Sequence, residues 1–110
     1  MTNRIIKFRA WDGKVMYNPF AIGETSFGEV FQGFMTVPNL MQFTGLYDRD
    51  GKEVYEGDIL ENHPDVRWEV KWSEEKAQWR VEGGASFGLN SMNKRAVVIG
   101  NVFMNPELLK

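Results

Sequence analysis

The stretch Val66-Arg67-Trp68-Glu69-Val70-Lys71-Trp72 alternates apolar and charged side chains without a break. A period of two places Val66, Trp68, Val70 and Trp72 on one face of an extended strand and Arg67, Glu69 and Lys71 on the other. A helix would scatter the same residues around its circumference. The stretch therefore commits this part of the chain to a half-buried antiparallel sheet, one face on a core and the other in water. Ser73 to Ala77 has the polar composition of a hairpin connection or a single helical turn. Gln78 to Glu82 is the return strand, with Trp79 and Val81 inward, and Gly83-Gly84 stops it.

The same punctuation runs through the rest of the chain. Arg4 to Trp11 alternates, with Ile6, Phe8 and Ala10 opposite Ile5, Lys7 and Arg9. Asp12-Gly13 reads as a two-residue turn, and Lys14 to Tyr17 as the partner strand. Asn18-Pro19 should end it, because proline brings no N–H to the ladder. From Ala21 to Phe34, glycines 23, 28 and 33 interrupt Phe27, Val30, Phe31 and Phe34, which suits a loop-rich segment with its aromatics tucked against the core. Pro38-Asn39 marks a boundary within a single domain, between an N-terminal layer (1–38) and the remainder (39–110).

From Met41 the chain enters a tight turn at Asp48-Arg49-Asp50-Gly51, leaves through Val54 and Tyr55, turns again at Glu56-Gly57-Asp58 and opens a strand at Ile59 and Leu60. Asp48, Asp50, Gly51, Gly57 and Asp58 are the residue types that tight turns require. Glu61 to Asp65 reads as a turn, and Ala85 to Asn93 as a loop pinned by Phe87, Leu89 and Met92. Ala96 to Phe103 is a β-branched run that looks buried on both sides, with Gly100 at a bulge or a close backbone crossing. Asn105-Pro106-Glu107 starts a helical turn, with too little chain after it for more than one. The expected fold is mainly β: a small SH3-type barrel in the second half, beneath an N-terminal β-hairpin layer and a loop-rich segment, with a small sandwich as the alternative.

Composition removes several chemistries. The 110 residues include no Cys, which removes disulfides, iron–sulfur clusters, thiolate zinc sites and cysteine nucleophiles. No apolar run approaches the roughly 18 residues of a membrane span, so a cytoplasmic location is expected. A net charge of −2 gives no global field toward phosphates, so any nucleic-acid site must be local. No phosphate-binding glycine loop or dinucleotide fingerprint is present, and no cofactor is expected. The lone histidine, His63, stands beside Pro64 without a nucleophile pattern around it, so no catalytic residue is assigned.

Three groups of residues remain as candidates. The carboxylates Asp48, Asp50, Glu53, Glu56 and Asp58 crowd one stretch, but an EF-hand register with Gly51 in the glycine position puts Leu46 first and Gly57 twelfth, so no metal site is assigned. Arg4, Lys7, Arg9, Trp11, Lys94 and Arg95 would form a basic and aromatic face for single-stranded nucleic acid if their strands pair; a solvated face protecting an edge strand is the favoured reading. Trp68, Trp72 and Trp79 fit core packing, with Trp72, near the turn, the candidate for protein interaction.

Three segments in order resemble the YopX family of small proteins encoded by bacteriophages and prophages. They are Ile6-Lys7-Phe8-Arg9-Ala10-Trp11-Asp12; Met41-Gln42-Phe43-Thr44-Gly45-Leu46-Tyr47-Asp48 continuing through Gly51-Lys52-Glu53-Val54-Tyr55-Glu56-Gly57-Asp58-Ile59; and Val98-Ile99-Gly100-Asn101-Val102-Phe103 with Asn105-Pro106-Glu107-Leu108-Leu109. The resemblance implies an SH3-type barrel in the second half and a homo-oligomer, and it implies no established activity. Together the residues and the resemblance lead to the expectation of a non-enzymatic accessory protein that binds itself and an unknown phage or host protein. A local nucleic-acid binder and a metal-dependent enzyme are the alternatives.

Overall fold

The computed structural model describes residues 6–11, 13–21 and 39–109, with backbone only for 17–21. The described residues contain nine strands: β1 (Lys7–Trp11), β2 (Met16–Ala21), β3 (Asn39–Tyr47), β4 (Glu53–Tyr55), β5 (Asp58–His63), β6 (Val66–Ser73), β7 (Gln78–Glu82), β8 (Ser86–Gly88) and β9 (Val97–Asn101). They form two antiparallel sheets, in the orders β2-β1-β3-β4 and β8-β7-β6-β5-β9. Short 3₁₀ turns at Leu89–Ser91, Asn93–Arg95 and Pro106–Leu109 complete the described structure. Among the described residues neither ladder closes on itself, so the fold is mainly β in two open sheets. The loop-rich segment around Phe27, Val30, Phe31 and Phe34 lies outside the described residues, as does Arg4.

The alternating segment behaves as its pattern demands. Trp68 and Val70 are buried and face Val81 of the paired strand, while both ends of the face, Val66 and Trp72, are exposed. With Val54, Leu60, Leu89, Met92 and Ala96 they make the main core. A second cluster of Met41, Phe43 and Tyr55, with Trp11, Met16 and Phe103 packed on it, sits beneath the N-terminal hairpin. The ladder β1–β3 carries the sheet across position 38, pairing Trp11 with Asn39 and Phe8 with Gln42.

Several local expectations need correction. The β1–β2 connection spans four residues, because Trp11 pairs with Met16. Proline 19 does not end β2, which runs on to Ala21. β2 is an edge strand, and its register shifts between Phe8 and Ala10 opposite that proline, so the missing N–H falls at a bulge. β5 continues to His63 and closes on Val66 through a tighter turn in which Asp65 has φ 66°. Residues 86–88, expected in a loop, form the short edge strand β8, with Phe87 44% exposed while Leu89 and Met92 are buried. Val97–Gly100 of β9 is only half-buried, and among the described residues the strand pairs with β5 alone, its Val98 N–H going to Asp48 on the other side.

A side chain would clash at Gly100 and would strain the backbone at Gly57. The register of β9 shifts beside Gly100, as a bulge does, and a Cβ there would lie 2.5 Å from Asn105 Oδ1, so the close approach comes from a side chain and not from a crossing backbone. Gly57 has φ +86°, and its Cβ position is 3.5 Å from Met41 Sδ and from a Val102 methyl. Gly57→Val should therefore lower stability by about 2 kcal/mol or more through the left-handed backbone and β-branching. Gly84→Ala, in open space with an ordinary φ, should stay within about 0.5 kcal/mol of the parent. Urea unfolding of both variants checks this, and equal midpoints would contradict it.

Candidate binding cleft between the two sheets

The turn Glu56-Gly57-Asp58 is where the sheets are joined, because its backbone is shared between them. The Glu56 N–H donates to Gln42 O of β3 at 2.9 Å, and the Gly57 N–H donates to Val70 O of β6 at 2.9 Å. The Val102 N–H in turn donates to Gly57 O at 2.9 Å, bringing the segment after β9 to the same point. Asp58, fully buried, accepts the Tyr55 N–H at 2.7 Å and is ion-paired with Arg9 of β1. Burial raises the Asp58 pKa, and Arg9 and the Tyr55 N–H pull it part of the way back.

Beside this corner the sheets part and leave a cleft of about 420 Å³ floored by Met41, Gly57, Val102 and Phe103. A second lobe of about 360 Å³ is lined by Gln42, Glu56, Trp72 and Trp79. Glu56 and Trp72 line both hollows, which adjoin at that pair. Trp72 is 45% and Leu40 43% exposed, a large apolar pair on opposite walls. The Trp72 and Trp79 rings meet edge to face, 5.2 Å apart at 69°.

The walls are also strand edges. The N–H and C=O of one residue in an antiparallel strand point to the same side, and the side alternates along the chain. Val70 O is turned toward Gly57, so the backbone of Trp72, two residues on, points the same way, beyond the last β5 pairing at Glu69. Gln42 O is turned toward Glu56, so the backbone of Leu40 likewise points away from β1 and into the groove. Among the described residues no strand pairs with either edge.

The residues singled out from the sequence divide sharply. Lys7 is ion-paired with Glu53 and lies 5.0 Å from the Phe43 ring centroid; Arg9 is paired with Asp58 and lies 4.7 Å from the Tyr55 ring centroid. Both cations thus point onto the second core cluster, with Trp11 packed nearby, instead of forming an outer face. Lys94 and Arg95 are exposed on a 3₁₀ turn of the other sheet. The Tyr55 hydroxyl, raised in pKa by burial and by donating to Glu53 at 3.1 Å, is held within the same cluster.

The acidic stretch is likewise dispersed. Asp48 accepts the N–H groups of Asp50 and Lys52 through one oxygen and of Val98 through the other, each at 2.9 Å, tying the β3–β4 turn to β9. Asp50 is exposed, and Gly51 has φ +84° in the turn. Among the described residues no three His, Asp or Glu groups converge as metal ligands do. His63 is exposed at the end of β5. The groove gave one sequence signal, Trp72. Leu40 gave none, and Glu56 stood out only as one of a run of turn carboxylates, because their places in the groove depend on which strand edge lies opposite.

The fold and the groove define a two-sheet β protein with an open, partly apolar cleft. The model of the YopX protein family matches residues 20–110, and the chain belongs to that family. The N-terminal motif 6–12 lies before the matched span. The crystal structure of protein EF1440 from Enterococcus faecalis is similar, with a TM-score of 0.59 and 26% identity over 98% of this chain and 100% of that one. No curated protein matches the chain.

The three N–H groups on Asp48 outweigh the opposing effect of its burial and hold its pKa below the ordinary 3.8. Its stabilising contribution is present above that value and lost as pH falls through the lower folded-state value. Asp48→Asn should cost about 1–3 kcal/mol at neutral pH, and the gap to the parent should narrow below pH 3.8. Denaturant midpoints followed across pH would expose a wrong assignment as a gap that does not change with acidity.

Proposed function

We propose that the protein is a non-enzymatic binding module, an accessory protein of phage or prophage origin acting in the bacterial cytoplasm, that takes a protein segment into the groove beside Trp72. The observation carrying this reading is the exposed pair Leu40 and Trp72 on facing strand edges, above a formed floor. Exposed edges with flanking apolar pockets are how sheets recruit extended segments. Engagement of Asp48, Glu53 and Asp58 in holding the fold supports binding over catalysis. Membership of the YopX family supports the phage or prophage origin.

The chain acts as one unit from 1 to 110 in this reading, supported by the β1–β3 ladder across the boundary at 38. Residues 39–110 form an SH3-type arrangement, supported by the β5–β6–β7–β8 meander with β9 returning to β5. Self-association is part of the proposal and is supported by the single-partnered edge β8 with its exposed Phe87.

Trp72→Ser removes the aromatic wall at an already exposed position, so its melting temperature should remain near that of the parent. In nuclease-treated pull-downs from prophage-induced cells, proteins enriched by the parent should fall about tenfold or more with the variant, as expected for loss of a Trp anchor. An unchanged set of captured proteins, or capture that disappears on nuclease treatment, would overturn the reading.

A further inference from the structure

The groove carries a charge as well as an apolar wall. Three ionisable side chains line the first lobe, Glu56, Glu69 and Lys71. Lys71 lies 3.9 Å from Glu69 and 3.6 Å from Glu82, so its charge is shared between those two carboxylates. Among the described residues Glu56 makes no ion pair, and its carboxylate accepts one hydrogen bond, a long one of 3.5 Å from the Gln42 N–H. That carboxylate stands where the two lobes join, in company with Trp72.

An unpaired carboxylate and a tryptophan face are both complementary to a cation. Indole is the best of the aromatic faces for a guanidinium or ammonium group, and a carboxylate accepts charge-assisted hydrogen bonds from the same group. The Trp72 and Trp79 rings, inclined at 69°, leave a corner beside Glu56 rather than a flat wall. The main chain adds a second requirement: the edges at Leu40 and Trp72 present N–H and C=O groups that an extended segment can pair with.

We propose that the groove binds an extended protein segment by strand addition and selects an arginine or lysine of that segment at Glu56 and Trp72. This rests on the binding reading above and adds the chemistry of the occupant. The partner then needs an extended stretch that carries a cation.

Calorimetry with short capped peptides tests the selection. One peptide alternates threonine and valine around a central arginine, a second carries norleucine at the centre, and a third carries glutamate. The parent protein should bind the arginine peptide about tenfold or more tightly than the norleucine peptide, as a charge-assisted pair allows. Glu56→Gln, which keeps an acceptor for the Gln42 N–H, should erase that preference, and Glu56→Lys should transfer it to the glutamate peptide.

Equal binding of the arginine and norleucine peptides, lost in Trp72→Ser, would overturn cation selection while leaving the binding reading intact. Failure of all three peptides to bind would overturn strand addition. A dimer in sedimentation that Trp72→Ser dissociates, with no peptide binding, would assign the groove to a second copy and overturn the proposal.

Discussion

The three-residue corner Glu56-Gly57-Asp58 joins the two sheets by main-chain hydrogen bonds to three separate segments, and the β3–β4 turn makes a second join through Asp48 to Val98 and Arg49 to Ala96. Gln42 and Val70 accept N–H groups from Glu56 and Gly57, and Gly57 O accepts the Val102 N–H. Such sharing requires a backbone bent into the left-handed region, which glycine enters without a Cβ penalty. Here φ is +86°, with Met41 and Val102 close by. The corner also leaves space beside it, because a strand that turns away at Gly57 cannot accompany β6 as far as Trp72. The groove is thus a by-product of the join.

The neighbouring Arg9–Asp58 pair explains why the N-terminal hairpin sits where it does. Removing a carboxylate and a guanidinium from water is costly, and their attraction offsets that cost only when other hydrogen bonds complete the site. Asp58 has the Tyr55 N–H as well as Arg9, and Arg9 also lies against the Tyr55 ring. Arg9 Nε is nevertheless buried without a partner among the described residues. The pair is better understood as fixing which face of β1 meets the second core cluster than as a large source of stability. A register slip of one residue would turn both Lys7 and Arg9 away from Glu53 and Asp58.

Much of the strand pattern was legible because it follows from side-chain alternation. Val66 to Trp72 and Gln78 to Glu82 carry almost their whole extent in the alternation itself, and Gly51 and Gly57 have positive φ. Errors arose where position in the sheet overrides local preference. Proline 19 is tolerated because β2 is an edge, and the residues after Leu60 stay extended because β6 pairs with them. Gly45 has positive φ within a register shift of β3 against β4, an irregularity set by strand pairing rather than by local side-chain pattern. Lys7 and Arg9 looked like a solvated face because alternation reveals that two residues share a side, without revealing what lies opposite.

The groove was legible only through Trp72. Its other wall comes from β3, and its strand edges depend on backbone direction, which side-chain pattern does not encode. The central claim is that the corner is firmly held while the two edges beside it stand open. Native-state amide hydrogen exchange measures both at once. The Gly57 and Val102 amides, bonded within the join, should exchange only with global opening, whereas those of Leu40 and Trp72 should exchange orders of magnitude faster. Rapid exchange at Gly57 and Val102, or protection of Leu40 and Trp72 equal to the core, would contradict the account.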